Sequence, residues 1–157
     1  MTLAGLNSGR GTKVKNPNAA ILLVEDSDED VFFFKRALAK SGISVDLLLA
    51  SDGKSAVSLL GDNSVRSRLK AIFLDLKLPL LNGFDVLRWI RAQNFYPALR
   101  VIVLSGSAHK SDKVLADELG AQDYLVKPVT PDLLRERLYP ALIIQNAPAN
   151  LSKSEGD

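Results

Sequence analysis

Four apolar runs in the sequence each end in a polar side chain whose chemistry suits phosphate or metal binding. Asp75 follows residues 71–74, Glu25 and Asp26 follow 20–24, Ser105 follows 101–104, and Lys127 follows 124–126. An acid at the end of a buried strand is poorly explained by packing, because burying a carboxylate is costly. Two of the runs end in acids, one ends in a hydroxyl and one in an amine. Together these ends predict one polar site at one edge of a sheet.

The acidic residues Glu25, Asp26 and Asp75 would repel one another without a cation, and one of them would have a raised pKa. A hard divalent cation resolves this conflict, and Mg²⁺ typically binds one or two carboxylates together with a phosphate and water. A carboxylate can also be the nucleophile that forms an acyl phosphate. Lys127 and Ser105 would then neutralise and hydrogen-bond phosphoryl oxygens. The set predicts phosphoryl chemistry assisted by Mg²⁺.

Strand-like and helix-like segments alternate five times after residue 19, which predicts one parallel sheet with helices on both faces. Ligands in such sheets bind beyond the carboxyl ends of the strands, where the polar residues lie. The predicted strands cover residues of about 20–24, 44–49, 71–74, 101–104 and 122–126. The predicted helices cover about 28–40, 53–60 and 84–93, then one from Ser111 or Asp112 to Gly120, and one opening at Thr130-Pro131.

Two local signals refine these boundaries. Ser27, with Asp30 three residues later, resembles a capping box at the start of the first helix. We interpret Asp28, Glu29 and Asp30 as a solvated acidic helix start that the helix dipole favours. Pro140 is expected to interrupt the end of the last helix, and the apolar residues 141–144 would pack back on the domain or contact a partner.

Composition predicts one domain at residues 19–144, between a flexible basic tail at 1–18 and a flexible tail at 145–157. The chain of 157 residues has no cysteine, which excludes disulfides and thiolate chemistry. It shows no apolar run of membrane-spanning length and no signal peptide. No clustered basic stripe suits nucleic acid. We therefore expect a cytoplasmic protein that binds neither membrane nor nucleic acid.

The motifs Ile21–Asp26, Phe73–Leu76 with Pro79 and Asn82-Gly83, Ser105-Gly106 and Lys127-Pro128 resemble the receiver domain of bacterial response regulators over about residues 19–139. The resemblance implies a flavodoxin-like fold with strand order 2-1-3-4-5. It implies that Asp75 accepts a phosphoryl group from a sensor histidine kinase or a phosphotransfer protein. It also implies roles for the other residues: Asp26, Asp75 and the Lys77 carbonyl as Mg²⁺ ligands, Glu25 through water, Ser105 and Lys127 on the phosphoryl oxygens, and Tyr124 as the switch aromatic.

The resemblance further implies how such a switch would work. Phosphorylation would draw Ser105 inward and let Tyr124 rotate, which remodels the face of the fourth predicted helix, fifth strand and fifth helix. Output would pass through a bound partner, a homodimer or a phosphorelay, with no enzymatic turnover beyond the domain's own phosphorylation and slow dephosphorylation. A weaker likeness to stand-alone partners of phytochrome-type kinases suggests one class of donor.

Two other functions stay open at this point. A degenerate receiver would bind a partner without phosphorylation. An aspartyl phosphatase on a similar sheet would use Asp75 as nucleophile, but such enzymes want a second Asp two residues later, where this chain has Lys77. The Lys77 ammonium would either reach the phosphoryl group or point to solvent.

Overall fold

A computed structural model of the chain describes residues 13–94 and 99–143. The elements in chain order are β1 (Val14–Val24), α1 (Asp28–Ser41), β2 (Ile43–Ala50), α2 (Gly53–Leu60), α3 (Asn63–Arg66), β3 (Leu69–Leu74), α4 (Gly83–Ala92), β4 (Arg100–Ser105), α5 (Lys110–Glu118), β5 (Asp123–Val126) and α6 (Pro131–Ile143). Among the described residues, no helix combines the length and apolarity needed to cross a membrane.

The five strands form one parallel sheet in the order β2-β1-β3-β4-β5. This confirms the predicted doubly wound, flavodoxin-like fold. The pairing register aligns Val24 of β1 with Ala50 of β2 and with Leu74 of β3. The carboxyl ends of these strands therefore stop at the same level, and the residues that follow them project from one edge of the sheet.

Each face of the sheet carries its own apolar layer, because successive strand residues point to opposite sides. Leu22, Leu74 and Val103 lie in the layer under α2 and α4, whereas Leu23 and Phe73 lie in the layer under α1 and α6. In the second layer, Phe34 of α1 meets Phe73 edge to face, with ring centroids 5.0 Å apart. The two layers hold the central strands rigidly, and rigid strands position the edge where the polar residues meet.

The first strand begins earlier than predicted. β1 starts at Val14, not near residue 20, and Val14 and Lys15 pair with the start of β2. The predicted start was wrong because Pro17 and its neighbouring asparagines suggested a loop. The register shifts between Lys15 and Ala20, and such an irregularity accommodates a proline that cannot donate a ladder hydrogen bond. Residues 14–18 are thus strand, and the rest of both predicted tails, apart from Lys13, lies outside the described residues.

Two helical boundaries also differ from the prediction. α5 begins at Lys110 after His109, which makes no side-chain cap, so neither Ser111 nor Asp112 caps it. The short α3 was not predicted, and Asp62 caps it by accepting from the Ser64 amide at 2.9 Å. The start of α5 and the single-turn α3 have only weak local signals, so the sequence predicts such boundaries poorly.

Pro140 does not end α6, contrary to the prediction. The helix continues through Pro140 to Ile143, and Leu142 is completely buried in the layer under α1 and α6. A proline in a last turn removes one backbone hydrogen bond, and burial of Leu142 offsets that loss. Residues 141–143 therefore pack back on the domain.

Replacing Leu142 by alanine should reduce the free energy of unfolding by about 2–4 kcal/mol, because it leaves a cavity in the layer under α1 and α6. Ile143→Ala is the matched control, since Ile143 is 41% exposed, and it should cost less than about 0.5 kcal/mol. Urea unfolding measures both values. Equal effects of the two substitutions would show that the turn after Pro140 does not dock in solution.

Candidate functional site

The backbone ladder of the sheet continues one residue past β1, β3 and β5, and this places the polar residues. The Glu25 amide donates to the Ala50 carbonyl at 2.9 Å, and the Asp75 amide donates to the Val24 carbonyl at 3.1 Å. The Lys127 amide donates to the Ser105 carbonyl at 2.8 Å. Backbone bonds therefore fix where each of these side chains starts, independently of what the side chains bind.

Three carboxylates converge at this edge. Glu25, Asp26 and Asp75 each offer one oxygen, and these oxygens all lie within 4.8 Å of one another. Glu25 and Asp75 are 4% and 6% exposed, while Asp26 is exposed. The donor set consists only of carboxylate oxygens, which suits a hard cation such as Mg²⁺ and does not suit a metal that prefers sulfur or nitrogen. The residues present thus fit the predicted metal, with Asp26 open to water.

The Lys127 ammonium lies among carboxylates and uses its donors on them. Its Nζ donates to Glu25 Oε1 at 2.5 Å, to Asp30 Oδ2 at 2.8 Å and to Asp75 Oδ2 at 3.1 Å. Burial by itself lowers the pKa of Lys127, but the hydrogen bonds to Asp30 and Glu25 and the charge of Asp75 outweigh it, so the pKa is raised. The ammonium stays charged and neutralises part of the cluster.

Glu25 carries the raised carboxyl pKa that the crowding of acids predicted. Burial raises its pKa most, the hydrogen bond from Lys127 opposes the change, and the neighbouring charge of Asp75 adds to it. A divalent cation would favour the charged form of this carboxylate, because an opposite charge nearby lowers the pKa of an acid.

Asp30 was misjudged from the sequence as a solvated residue of a helix start. Its amide does donate to Ser27 Oγ at 3.2 Å, which confirms one half of the predicted capping box. The other half is absent, because the Ser27 amide donates to Glu25 Oε2 at 3.1 Å instead. The carboxylate of Asp30 is thereby available to Lys127. Only the tertiary approach of β5 to α1 shows this contact, and no local pattern signals it.

The two predicted switch residues both bind the backbone of Ser107. Ser105 is buried, and its Oγ accepts from the Ser107 amide at 3.1 Å. The half-buried Tyr124 donates its hydroxyl to the Ser107 carbonyl at 2.8 Å. Lys113 of α5 lies over the Tyr124 ring, with Nζ 5.7 Å from the centroid. A displacement of the loop after β4 would therefore reach Ser105 and Tyr124 together.

Lys77 and Pro128 lie in the loops that border the acidic cluster. The Lys77 amide donates to Asp75 Oδ1 at 3.1 Å, which orients that carboxylate, and the Lys77 side chain is exposed. The role of the Lys77 carbonyl stays a prediction. The peptide bond between Lys127 and Pro128 is cis.

The backbone after β3 packs so closely against Gly83 that a side chain would not fit there. Gly83 donates its amide to the Leu76 carbonyl at 3.0 Å, and a Cβ at Gly83 would stand 2.3 Å from the Asp75 carbonyl oxygen. The contact is with backbone, which moves only by displacing Asp75 itself. A glycine at position 83 is therefore needed for Asp75 to keep its position.

Gly83→Ala should lower the free energy of unfolding by about 1–3 kcal/mol through overpacking against the Asp75 backbone. Gly61→Ala is the matched control, because a Cβ there meets its nearest atom at an ordinary 3.5 Å. Thermal and urea unfolding of the two variants provide the comparison. If Gly83→Ala were as stable as the control, the close packing of this loop against Asp75 would be disproved.

Comparisons with known proteins identify the family to which this fold belongs. The family model "Response regulator receiver domain" matches residues 21–139. Chemotaxis protein CheY1 of Helicobacter pylori is 30% identical over 118 residues, which cover 75% of this chain and 92% of that protein. The solved Mn(2+)-bound form of response regulator Rcp1 is similar with a TM-score of 0.67 and 30% identity, covering 83% of this chain and 99% of that one. The bacteriophytochrome response regulator RtBRR is similar with a TM-score of 0.67 and 34% identity, covering 84% and 82% of the two chains. The chain therefore belongs to the response regulator receiver domain family.

Proposed function

We propose that this protein is a phosphoacceptor switch of a two-component system and that Asp75 carries the phosphoryl group. One observation supports this most: the buried Asp75 carboxylate lies both in a cluster of acids that suits a divalent cation and 3.1 Å from the Lys127 ammonium. A nucleophile, a cation site and a fixed positive charge are the parts that phosphoryl transfer needs, since its catalysis is mainly positioning and charge stabilisation.

The proposed step is a simple displacement at phosphorus. A carboxylate oxygen of Asp75 attacks the phosphorus atom of the donor, and a P–O or P–N bond to the donor breaks. The leaving group departs with the bonding electron pair, as acetate from acetyl phosphate or as neutral imidazole from a phosphohistidine that is protonated at its other ring nitrogen. Lys127 would donate an ammonium N–H to one phosphoryl oxygen, and Ser105 would donate its hydroxyl to another.

The acidic cluster would hold Mg²⁺ during this step. We assign Asp26, Asp75 and the Lys77 carbonyl as direct ligands and Glu25 as a ligand through water. When bound, the metal would supply charge neutralisation for the donor phosphate, as hard cations do in phosphoryl transfer. The exposure of Asp26 supports this assignment, because Mg²⁺ usually retains several waters.

The signal would leave through α5, β5 and α6. Ser105 and Tyr124 share the Ser107 backbone, so drawing Ser105 to the phosphoryl group would release or reorient Tyr124. Arg137 of α6 pairs with Asp123 of β5, which joins two elements of that face. We propose that this remodelled face controls binding of a partner or a homodimer.

The donor would be a sensor histidine kinase or a phosphotransfer protein in the cytoplasm. Bacteriophytochrome response regulators AtBRR and RtBRR and a regulator in red light signalling of R. palustris are among the similar structures. Those likenesses support a phytochrome-type kinase as the first donor to test.

Incubation with acetyl phosphate and Mg²⁺ should add one phosphoryl group, because Asp75 is the only buried aspartate at the cluster. Intact-mass spectrometry measures the gain. Asp75→Asn should abolish it, whereas Asp117→Asn, at an exposed acid of α5, should leave it unchanged. Absence of any gain would favour phosphorylation-independent binding, and sustained hydrolysis of a generic phosphomonoester would favour a phosphatase.

Asp26→Asn should weaken the apparent Mg²⁺ affinity by roughly tenfold or more, because it removes one charged ligand from the site. The readout is the Mg²⁺ concentration that half-saturates the rate of phosphorylation. Asp28→Asn lies two residues away, is exposed like Asp26 and removes the same charge outside the cluster. Equal Mg²⁺ dependence of the two variants would contradict the assignment of Asp26.

A further inference from the structure

We propose that Asp30 is a positioning residue that holds the Lys127 ammonium beside Asp75 when a divalent cation occupies the acidic cluster. This inference rests on the proposed function and extends it by one residue outside the motifs that carry the family resemblance. The observation behind it is the 2.8 Å contact between Lys127 Nζ and Asp30 Oδ2.

The three carboxylate partners of Lys127 differ in what else they would bind. Glu25 and Asp75 belong to the group of acids whose oxygens lie within 4.8 Å of one another, and Asp30 does not. A metal ion at that group would bind Asp75 directly and Glu25 through water, and its charge would repel the ammonium. Asp30 is then the one partner of Lys127 that keeps its full attraction for the ammonium.

Among the described residues that line the cavity on the α1 side of Lys127, only Glu25 and Asp30 carry a side-chain acceptor. This cavity of about 210 Å³ lies between the start of α1 and the loop after β5. Apart from Glu25, Asp30 and Lys127 itself, its wall consists of apolar side chains, among them Phe33, Phe34 and Val129. If Lys127 lost its carboxylate partners, no hydrogen bond would hold its ammonium against this apolar wall.

Hydrogen bonds in the first turn of α1 hold the Asp30 backbone in place. The Asp30 amide is tied to Ser27 Oγ, and the Ser27 amide is tied to Glu25 Oε2. In a complete capping box the Asp30 carboxylate would accept a hydrogen bond from the Ser27 amide. Here Glu25 accepts that hydrogen bond instead. The Asp30 carboxylate thus contacts Lys127 from a backbone that hydrogen bonds hold in place.

The consequence concerns the three N–H donors of the ammonium. With one of them on Asp30, the other two are free for phosphoryl oxygens once the metal holds Asp75 directly and Glu25 through water. Asp30 would thus act on the reaction through Lys127 and would not touch the reacting atoms.

The experiment compares Asp30→Asn with Asp28→Asn, which removes the same charge from the same helical turn without a contact to Lys127. The rate of phosphorylation by acetyl phosphate is measured by intact mass against Mg²⁺ concentration. Asp30→Asn should lower the maximal rate about tenfold through misplacement of Lys127. Its half-saturating Mg²⁺ concentration should stay within about twofold of that of Asp28→Asn, because Asp30 is outside the cluster.

A second variant separates charge from structure. Asp30→Glu keeps a carboxylate within reach of Lys127 and should retain the maximal rate within about threefold. The inference is overturned if Asp30→Asn and Asp28→Asn have equal maximal rates, if only the Mg²⁺ dependence changes, or if Asp30→Glu is as slow as Asp30→Asn. If the wild-type protein takes up no phosphoryl group, the proposed function fails and this inference fails with it. Circular dichroism confirms that each variant is folded.

Discussion

The attraction between one ammonium and three carboxylates governs the functional edge of this domain. Glu25 and Asp75 are buried beside each other, and two buried like charges are unfavourable without a cation. Lys127 provides that cation from the protein itself, at 2.5 to 3.1 Å from its three partners. The edge is therefore neutralised in part before any metal arrives, and a metal or a phosphoryl group must rearrange an ion-pair network that already exists.

The rest of the structure keeps this network in place. Two apolar layers and the backbone hydrogen bonds at the strand ends set the ends of β1, β3 and β5, and Gly83 lets the start of α4 pack closely against the Asp75 backbone. The loop after β4 is held differently, by hydrogen bonds from the Ser107 backbone to Ser105 and Tyr124. A rigid acidic edge beside a loop held by few bonds is the arrangement expected of a switch, because the charge change is local and only the weakly held part responds.

The fold and the meeting of Glu25, Asp75 and Lys127 could be predicted, because parallel strands of matched register must bring their ends together. The start of β1 and the path of α6 could not, since Pro17 and Pro140 oppose regular structure locally and are overruled by pairing with β2 and by the burial of Leu142. The contact of Asp30 was hidden for a related reason. Acids at a helix start are ordinarily solvated, and only the packing of β5 near α1 gives this one a partner.

The order of the strands explains why the cation of this site is a lysine. β4 lies between β3 and β5, and neighbouring strands are about 4.8 Å apart, so Lys127 starts roughly 10 Å from the strand that carries Asp75. Its four methylene groups span most of that interval, and they must cross the end of β4. Ser105, the last residue of β4, is buried beside that path. The width of one strand thus determines how long the side chain of the cationic residue must be.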